Sequence, residues 1–131
     1  MSDTITITGT AGTDPRHITT TSGLDITSFR IATGGRRFDR DADEWVDTES
    51  NWYTVTAFRH LALNVAESIQ RGERVIVTGT LRVRAWENGE KSGITVEIEA
   101  TSIGHDLAWG TTEYTRGARP DVTPDDQTRS E

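Results

Sequence analysis

Four rings stand beside arginines along this chain: Phe38, Trp52, Phe58 and Trp86. Arg36 and Arg37 precede Phe38, Arg59 follows Phe58, and Arg82 and Arg84 precede Trp86. A flat ring can stack on a nucleobase and a guanidinium can pair with a phosphate, so the combination suits a single strand of any sequence. The competing reading is that the rings are core, where rings in strands usually lie. Strand alternation favours the first. In WYTVTAFR (52–59), Trp52, Thr54, Thr56 and Phe58 share one face and Tyr53, Val55 and Ala57 the other. The two threonines between the rings argue that the ring-bearing face lies outside the core. In 81–86 the ring of Trp86 again falls with Arg82 and Arg84, opposite Leu81, Val83 and Ala85.

The elements that must position these residues are mostly strands. TITITGT (4–10) alternates β-branched residues at period two, and a short extended piece over 16–21 leads to a turn at Ser22-Gly23. In 25–33, Ile26, Ser28 and Arg30 alternate with Thr27, Phe29 and Ile31. The polar, acidic stretch from Gly34 to Asn51 has no apolar period and reads as a long hairpin loop. Residues 60–70 carry one helical stripe (Leu61, Ala62, Val65, Ala66, Ile69) stopped by Gly72. The strand 73–87 has Gly79 at its middle, where a bulge or bend is expected. Asn88-Gly89 signals a hairpin turn, with a loop extending as far as Gly93, and 94–103 is the last strand. A single helix between the third and fourth of five strands predicts an all-β OB-fold, a five-stranded Greek-key barrel. A plain β-sandwich is the competing fold. Residues 1–104 form the barrel domain, 105–116 an extra strand or clamp segment holding Trp109 and Tyr114, and 117–131 a disordered short tail.

Composition bounds the function. The 131 residues, 33% hydrophobic, support one domain with a modest core and a tail. No apolar run approaches the length of a membrane span, and the first ten residues lack the pattern of a secretory signal, so a soluble, non-secreted protein is expected. With no cysteine there is no disulfide frame, thiolate zinc site or cysteine nucleophile. A net charge of −7 argues against nucleic acid unless the cations are gathered on one surface. They are gathered in sequence. Acids crowd 39–49, whereas residues 50–86 hold five arginines against Glu67 and Glu73.

No pattern of catalysis or metal binding emerges. Asp39, Asp41 and Asp43 alternate like a calcium loop, but Glu44 and Ser50 stand where such a loop needs Gly and a bidentate Glu. His17, His60 and His105 have no metal-ligand spacing, and there is neither a nucleophile elbow nor a phosphate-binding loop. No enzyme activity, metal or cofactor is expected. Trp45 is expected to pack on the hairpin stem or stack a base, and Trp109 to pin the C-terminal segment to the barrel or to a neighbouring subunit.

From Thr4 to Gly104 the order of motifs resembles a known family. These are Gly9 followed by Asp14-Pro15, the Ser22-Gly23 turn, Phe29-Arg30-Ile31-Ala32-Thr33, Trp52 six residues before Phe58, Leu61-Ala62 with Asn64-Val65-Ala66-Glu67, Arg71-Gly72-Glu73-Arg74-Val75, and Gly79, Leu81 and Trp86. In order and spacing the chain resembles the bacterial single-stranded DNA-binding proteins. Phe38-Asp39-Arg40, Glu44-Trp45 and Ile103-Gly104-His105-Asp106-Leu107-Ala108 are similar to the actinobacterial branch. The resemblance implies base-stacking roles for Phe38, Trp52, Phe58 and Trp86. It implies cationic contacts at Arg71, Arg82 and Arg84, with a further basic position at His60 beside Arg59. It also implies a homotetramer, cytoplasmic and nucleoid-associated, that binds and protects single-stranded DNA in replication, repair and recombination.

Three positions depart from the family pattern. Tyr53 stands where a histidine often makes a subunit contact, and Ile18 where an arginine is expected, with Arg16 nearby. The last residues, PDDQTRSE, lack the acidic Pro-Phe tip through which the family recruits enzymes, so little recruiting function is expected. The alternative function is an OB-fold interaction or assembly module with weakened nucleic-acid binding.

Overall fold

The computed structural model describes residues 3–117, with all side chains in that span except those of 35–37 and 47–49. The tail expected over 117–131 lies, beyond Gly117, outside the described residues. The order of elements is β1 (Asp3–Ala11), β2 (Arg16–Thr19), β3 (Asp25–Asp39), β4 (Glu44–Phe58), α1 (Arg59–Ser68), β5 (Arg74–Asn88) and β6 (Lys91–His105). Five long strands run in the order β1-β5-β6-β4-β3, and β3 returns to β1 through Thr10↔Ala32 and Ala11↔Ile31, closing a barrel. The β4–β6 pairing is parallel and the others antiparallel. Four-residue β2 lies on the β3 edge outside the ring.

The alternation that separates the faces also fills the barrel. Thr27, Phe29, Ile31, Val55, Ala57, Val75, Val77 and Ile98 point inward and are buried. Complete burial of an aliphatic side chain such as Ile31 stabilises the fold by about 1.5–3 kcal/mol. Helix α1 closes one end by burying Ala62 and Val65, with Ile69 just beyond it. The buried Thr27 hydroxyl, which would otherwise lack a partner, donates to the Ala62 carbonyl at 2.7 Å and ties helix to barrel. At Gly79 a Cβ would collide with the Glu99 carbonyl, so only glycine lets β5 cross β6 that closely, and the register shifts beside it.

Two expectations are corrected. The stretch from Gly34 to Asn51 is not a loop: β3 and β4 stay paired to Asp39↔Glu44, with a bulge between Gly34 and Arg36. Its described side chains from Phe38 to Val46 are exposed or half-buried, and such a ribbon needs no apolar period, which is why periodicity missed it. At its tip, Asp39 Oδ1 accepts the Asp41 amide at 3.0 Å, so this acid builds a turn. The β5–β6 loop does not extend to Gly93, because pairing runs to Asn88↔Lys91 around Gly89, whose φ is +64°. No strand follows β6 among the described residues. Instead Thr111–Gly117 runs beside α1 and lines, with Leu61, Asn64 and Ile69, an open cleft. No helix among the described residues is long and apolar enough to cross a membrane.

Candidate nucleic-acid interface

Residues directly opposite each other in a sheet project from the same face. The registers therefore assemble the outer face of β3, β4, β6 and β5 row by row. Arg30, Thr54, Glu97 and Arg82 form one row, and Ser28, Thr56, Glu99 and Thr80 the next. Ile26 pairs with Phe58 at one end and Ala32 with Trp52 near the other. On the projecting β5–β6 hairpin, Arg84 lies opposite Thr95 and Trp86 opposite Gly93. Three of the four expected rings thus share a face with Arg82 and Arg84.

Their exposure differs from that of core rings. Trp52 and Trp86 are each 45% exposed, Phe38 is exposed, and Phe58 is half-buried where β4 meets α1. Arg30 lies over the Trp52 ring, its guanidinium carbon 4.7 Å from the centroid. Gly12 makes room for that ring, since a Cβ there would come within 2.5 Å of Cζ3. Gly93 does the same for Trp86, whose Cζ2 would be met at 2.6 Å. Phe38 and Trp45, opposite each other on the β3–β4 ribbon, pack edge to face with centroids 5.6 Å apart. Trp45 therefore packs on the stem, and it remains exposed.

The cations are less uniform than their sequence neighbours suggested. Arg82 pairs with Glu99 at 3.1 Å and Arg84 with Glu97 at 3.3 Å. Arg59 is exposed at the start of α1, in the left-handed region with φ +62°. His60 is half-buried at the Phe58 end, where its charge is felt by Asp25. The Asp25 carboxyl is held below its usual range chiefly by a hydrogen bond from His17, seconded by Thr19. Arg71 is exposed in the α1–β5 turn, away from the rows, with its amide bonded to Asp14. The side chains of Arg36 and Arg37 lie outside the described residues. No group of residues that could hold a metal ion occurs among the described residues.

Sequence reasoning passed over Arg30, Gly12, Gly93, Glu97 and Glu99. Arg30 had a signal, since alternation put it opposite Phe29 and Ile31. So did the two acids, which alternate with Val96, Ile98 and Ala100. The glycines had none, because only the folded chain brings them beneath the indoles.

Together these parts form a shallow, open face with two accessible indoles and three guanidinium groups against two carboxylates. A face of this kind can stack planar groups and pair anions. The model of the single-strand binding protein family matches residues 2–106. A "Single-stranded DNA-binding protein 2" of Tropheryma whipplei is 50% identical over 112 residues, spanning 86% of this chain and 74% of that protein. The single-stranded DNA-binding protein of Mycolicibacterium smegmatis is 41% identical over 118 residues, spanning 88% and 71%. Among solved structures, the small single-stranded DNA-binding protein from Streptomyces coelicolor superposes with a TM-score of 0.75 at 36% identity, covering 83% of this chain and 98% of that one.

Proposed function

The chain belongs to the single-strand binding protein family, and on that premise we propose that it coats single-stranded DNA without regard to base sequence. In this reading it protects strands exposed during replication, repair and recombination, and performs no catalysis. The observation that carries the reading is the placement of Trp52 and Trp86, half-exposed, on one outer face with Arg30, Arg82 and Arg84. Phe38, Trp52, Phe58 and Trp86 stack bases at about 1–3 kcal/mol each. Arg82 and Arg84 exchange Glu99 and Glu97 for phosphates. Exposed ion pairs are worth about 0–1 kcal/mol, so that exchange is cheap. Arg36, Arg37, Arg59, His60 and Arg71 contribute outlying contacts to the strand backbone.

Because each of these two guanidinium groups already holds an acid, stacking carries more of the affinity than release of counterions does. This accommodates the net charge of −7. The test is a titration with oligo-dT followed by tryptophan fluorescence at low and moderate salt. Quenching at low salt that weakens as salt rises supports the reading. A folded protein whose fluorescence does not respond at low salt is an interaction module instead.

The assembly we propose is a homotetramer. Among the described residues, β1 is paired over Asp3–Gly9 along one edge only, to β5, because its contact with β3 is confined to Thr10 and Ala11. An open edge of that length is a template for a second copy. A monodisperse monomer by light scattering would overturn it.

A further inference from the structure

We propose that Trp109, stacked on Arg74, is an additional base-stacking position that takes a nucleotide of the bound strand beyond the outer face. The proposal rests on the single-strand reading above. Trp109 lies in the turn after β6, its amide donating to the Asp106 carbonyl at 3.2 Å. A tryptophan that pins a segment to a barrel buries its ring, yet this one is 68% exposed. The ring lies against a cation, with the Arg74 guanidinium carbon 4.9 Å from its centroid. Trp52 is held in the same way by Arg30, at 4.7 Å.

Arg74 is itself held in place. Its Nη1 donates to Thr10 Oγ1 at 3.3 Å, and its Nε is buried without an acceptor among the described residues. No carboxylate among the described residues pairs with it, unlike Arg82 and Arg84. The nearby Glu73 carboxylate is engaged by His105 at 2.8 Å and by the Gln70 amide. The guanidinium beneath Trp109 therefore stands in no ion pair among the described residues, and it favours a base that arrives attached to a phosphate.

The barrel registers connect this ring to the main face. Trp52 lies opposite Ala32, Ala32 opposite Thr10, and Thr10 opposite Arg74. These four residues form a single row around the outside of the barrel. Three strand spacings separate its ends, roughly 14 Å. Within that row only the small side chains of Ala32 and Thr10 lie between Trp52 and Arg74, a route on which a strand can pass from one guanidinium-backed indole towards the other. Exposed Arg71 sits three residues before Arg74 at the same rim.

The experiment uses the full chain and fluorescein-labelled oligo-dT of increasing length, read by anisotropy at fixed salt. Trp109→Ala is expected to bind the shortest recognised oligomer like wild type and to bind longer ones about 5- to 150-fold more weakly. Trp109→Phe is expected to recover most of the difference. A variant carrying Trp45→Phe, Trp52→Phe and Trp86→Phe retains Trp109 as its single indole, and long oligo-dT should quench it. Wild-type affinity of Trp109→Ala at every length would overturn the proposal, as would an unquenched Trp109 at saturation. So would a weakening that comes with a changed mass by light scattering, because the ring would then be a subunit contact. If the wild type binds no oligomer at low salt, it is the single-strand reading itself that fails.

Discussion

The two halves of the outer face hold their cations in opposite ways. On the β3–β4 half, Arg30 lies on the Trp52 ring and Gly12 opens the space the ring occupies. On the β5–β6 hairpin, Arg82 and Arg84 are turned onto Glu99 and Glu97, and Trp86 spreads over Gly93 with no cation of the described residues on it. The first half presents a charge and a ring as one rigid unit. The second presents a ring alone beside cations that are already paired. An acidic protein can therefore keep a usable stacking surface without a strongly positive field, provided that some of its charge is held by rings and not by acids.

The largest effects should come from removing the rings, and they should be unequal. Trp52→Ala and Trp86→Ala each lose about 1–3 kcal/mol of oligo-dT affinity. Trp52→Ala should fall at the upper end because it also frees Arg30. A double-mutant cycle on Arg30→Ala and Trp52→Ala should give a coupling of about 0.5–1 kcal/mol, read by anisotropy titration. Equal losses with no coupling would mean that the contact of Arg30 with the ring has no bearing on binding.

Filling the space beneath the rings should come next. Gly12→Ala puts a methyl group where Trp52 Cζ3 lies, and Gly93→Ala one where Trp86 Cζ2 lies. Each indole must leave its rotamer minimum, at about 0.5–1.5 kcal/mol. Gly12→Ala should weaken binding more, since its ring cannot move without losing Arg30, and neither change touches the core. A fall in affinity with an unchanged melting temperature is the expected result. A fall in melting temperature alone would make these glycines part of the fold and not of the face.

The faces of the strands were legible in the sequence because burial on one side imposes period two. Val55 and Ala57 are buried and Trp52 is exposed, as the alternation of WYTVTAFR requires. The helical stripe was legible for the same reason, with Ala62, Val65 and Ile69 inside. The β3–β4 ribbon was not, since its described side chains from Phe38 to Val46 are exposed or half-buried and impose no pattern. Partnerships across the barrel were also hidden. Arg82 and Glu99 are close only because β5 lies beside β6, and Arg74 meets Trp109 only because β6 ends next to the start of β5. Adjacency in sequence put arginines near rings, whereas register decides which cation a ring or an acid receives.

A smaller effect should sharpen the contrast between the halves from the acid side. Glu97→Gln with Glu99→Gln leaves Arg82 and Arg84 without their carboxylates and keeps the contact of Arg30 with Trp52. The pairs are exposed, so affinity at low salt should rise by no more than about 1 kcal/mol. The salt dependence should steepen by up to about 0.7 in log–log slope for each phosphate newly engaged. An unchanged slope would mean that Arg82 and Arg84 engage no more phosphates without their acids than with them.

The smallest effect concerns an acid that serves the fold and not the face. Burial pushes the Glu73 carboxyl up, but hydrogen bonds from His105 and the Gln70 amide, with the His105 charge, bring it net below its usual 4.5. A carboxyl lowered in the folded state binds protons more weakly there than in the unfolded chain. Its contribution is therefore complete above about pH 4.5 and is lost as pH falls through the lower folded value. Glu73→Gln keeps the shape of the contact and removes the titration. At pH 7 the variant should be less stable by no more than about 1 kcal/mol, because the carboxylate is partly exposed and screened. As pH falls from 4.5 through the lowered folded value, the two proteins should converge in denaturant midpoint, while their relative oligo-dT affinity at pH 7 stays unchanged. A stability gap that persists undiminished into acid would assign the contact to geometry, leaving the charge of Glu73 without a role in holding the rim where β6 ends.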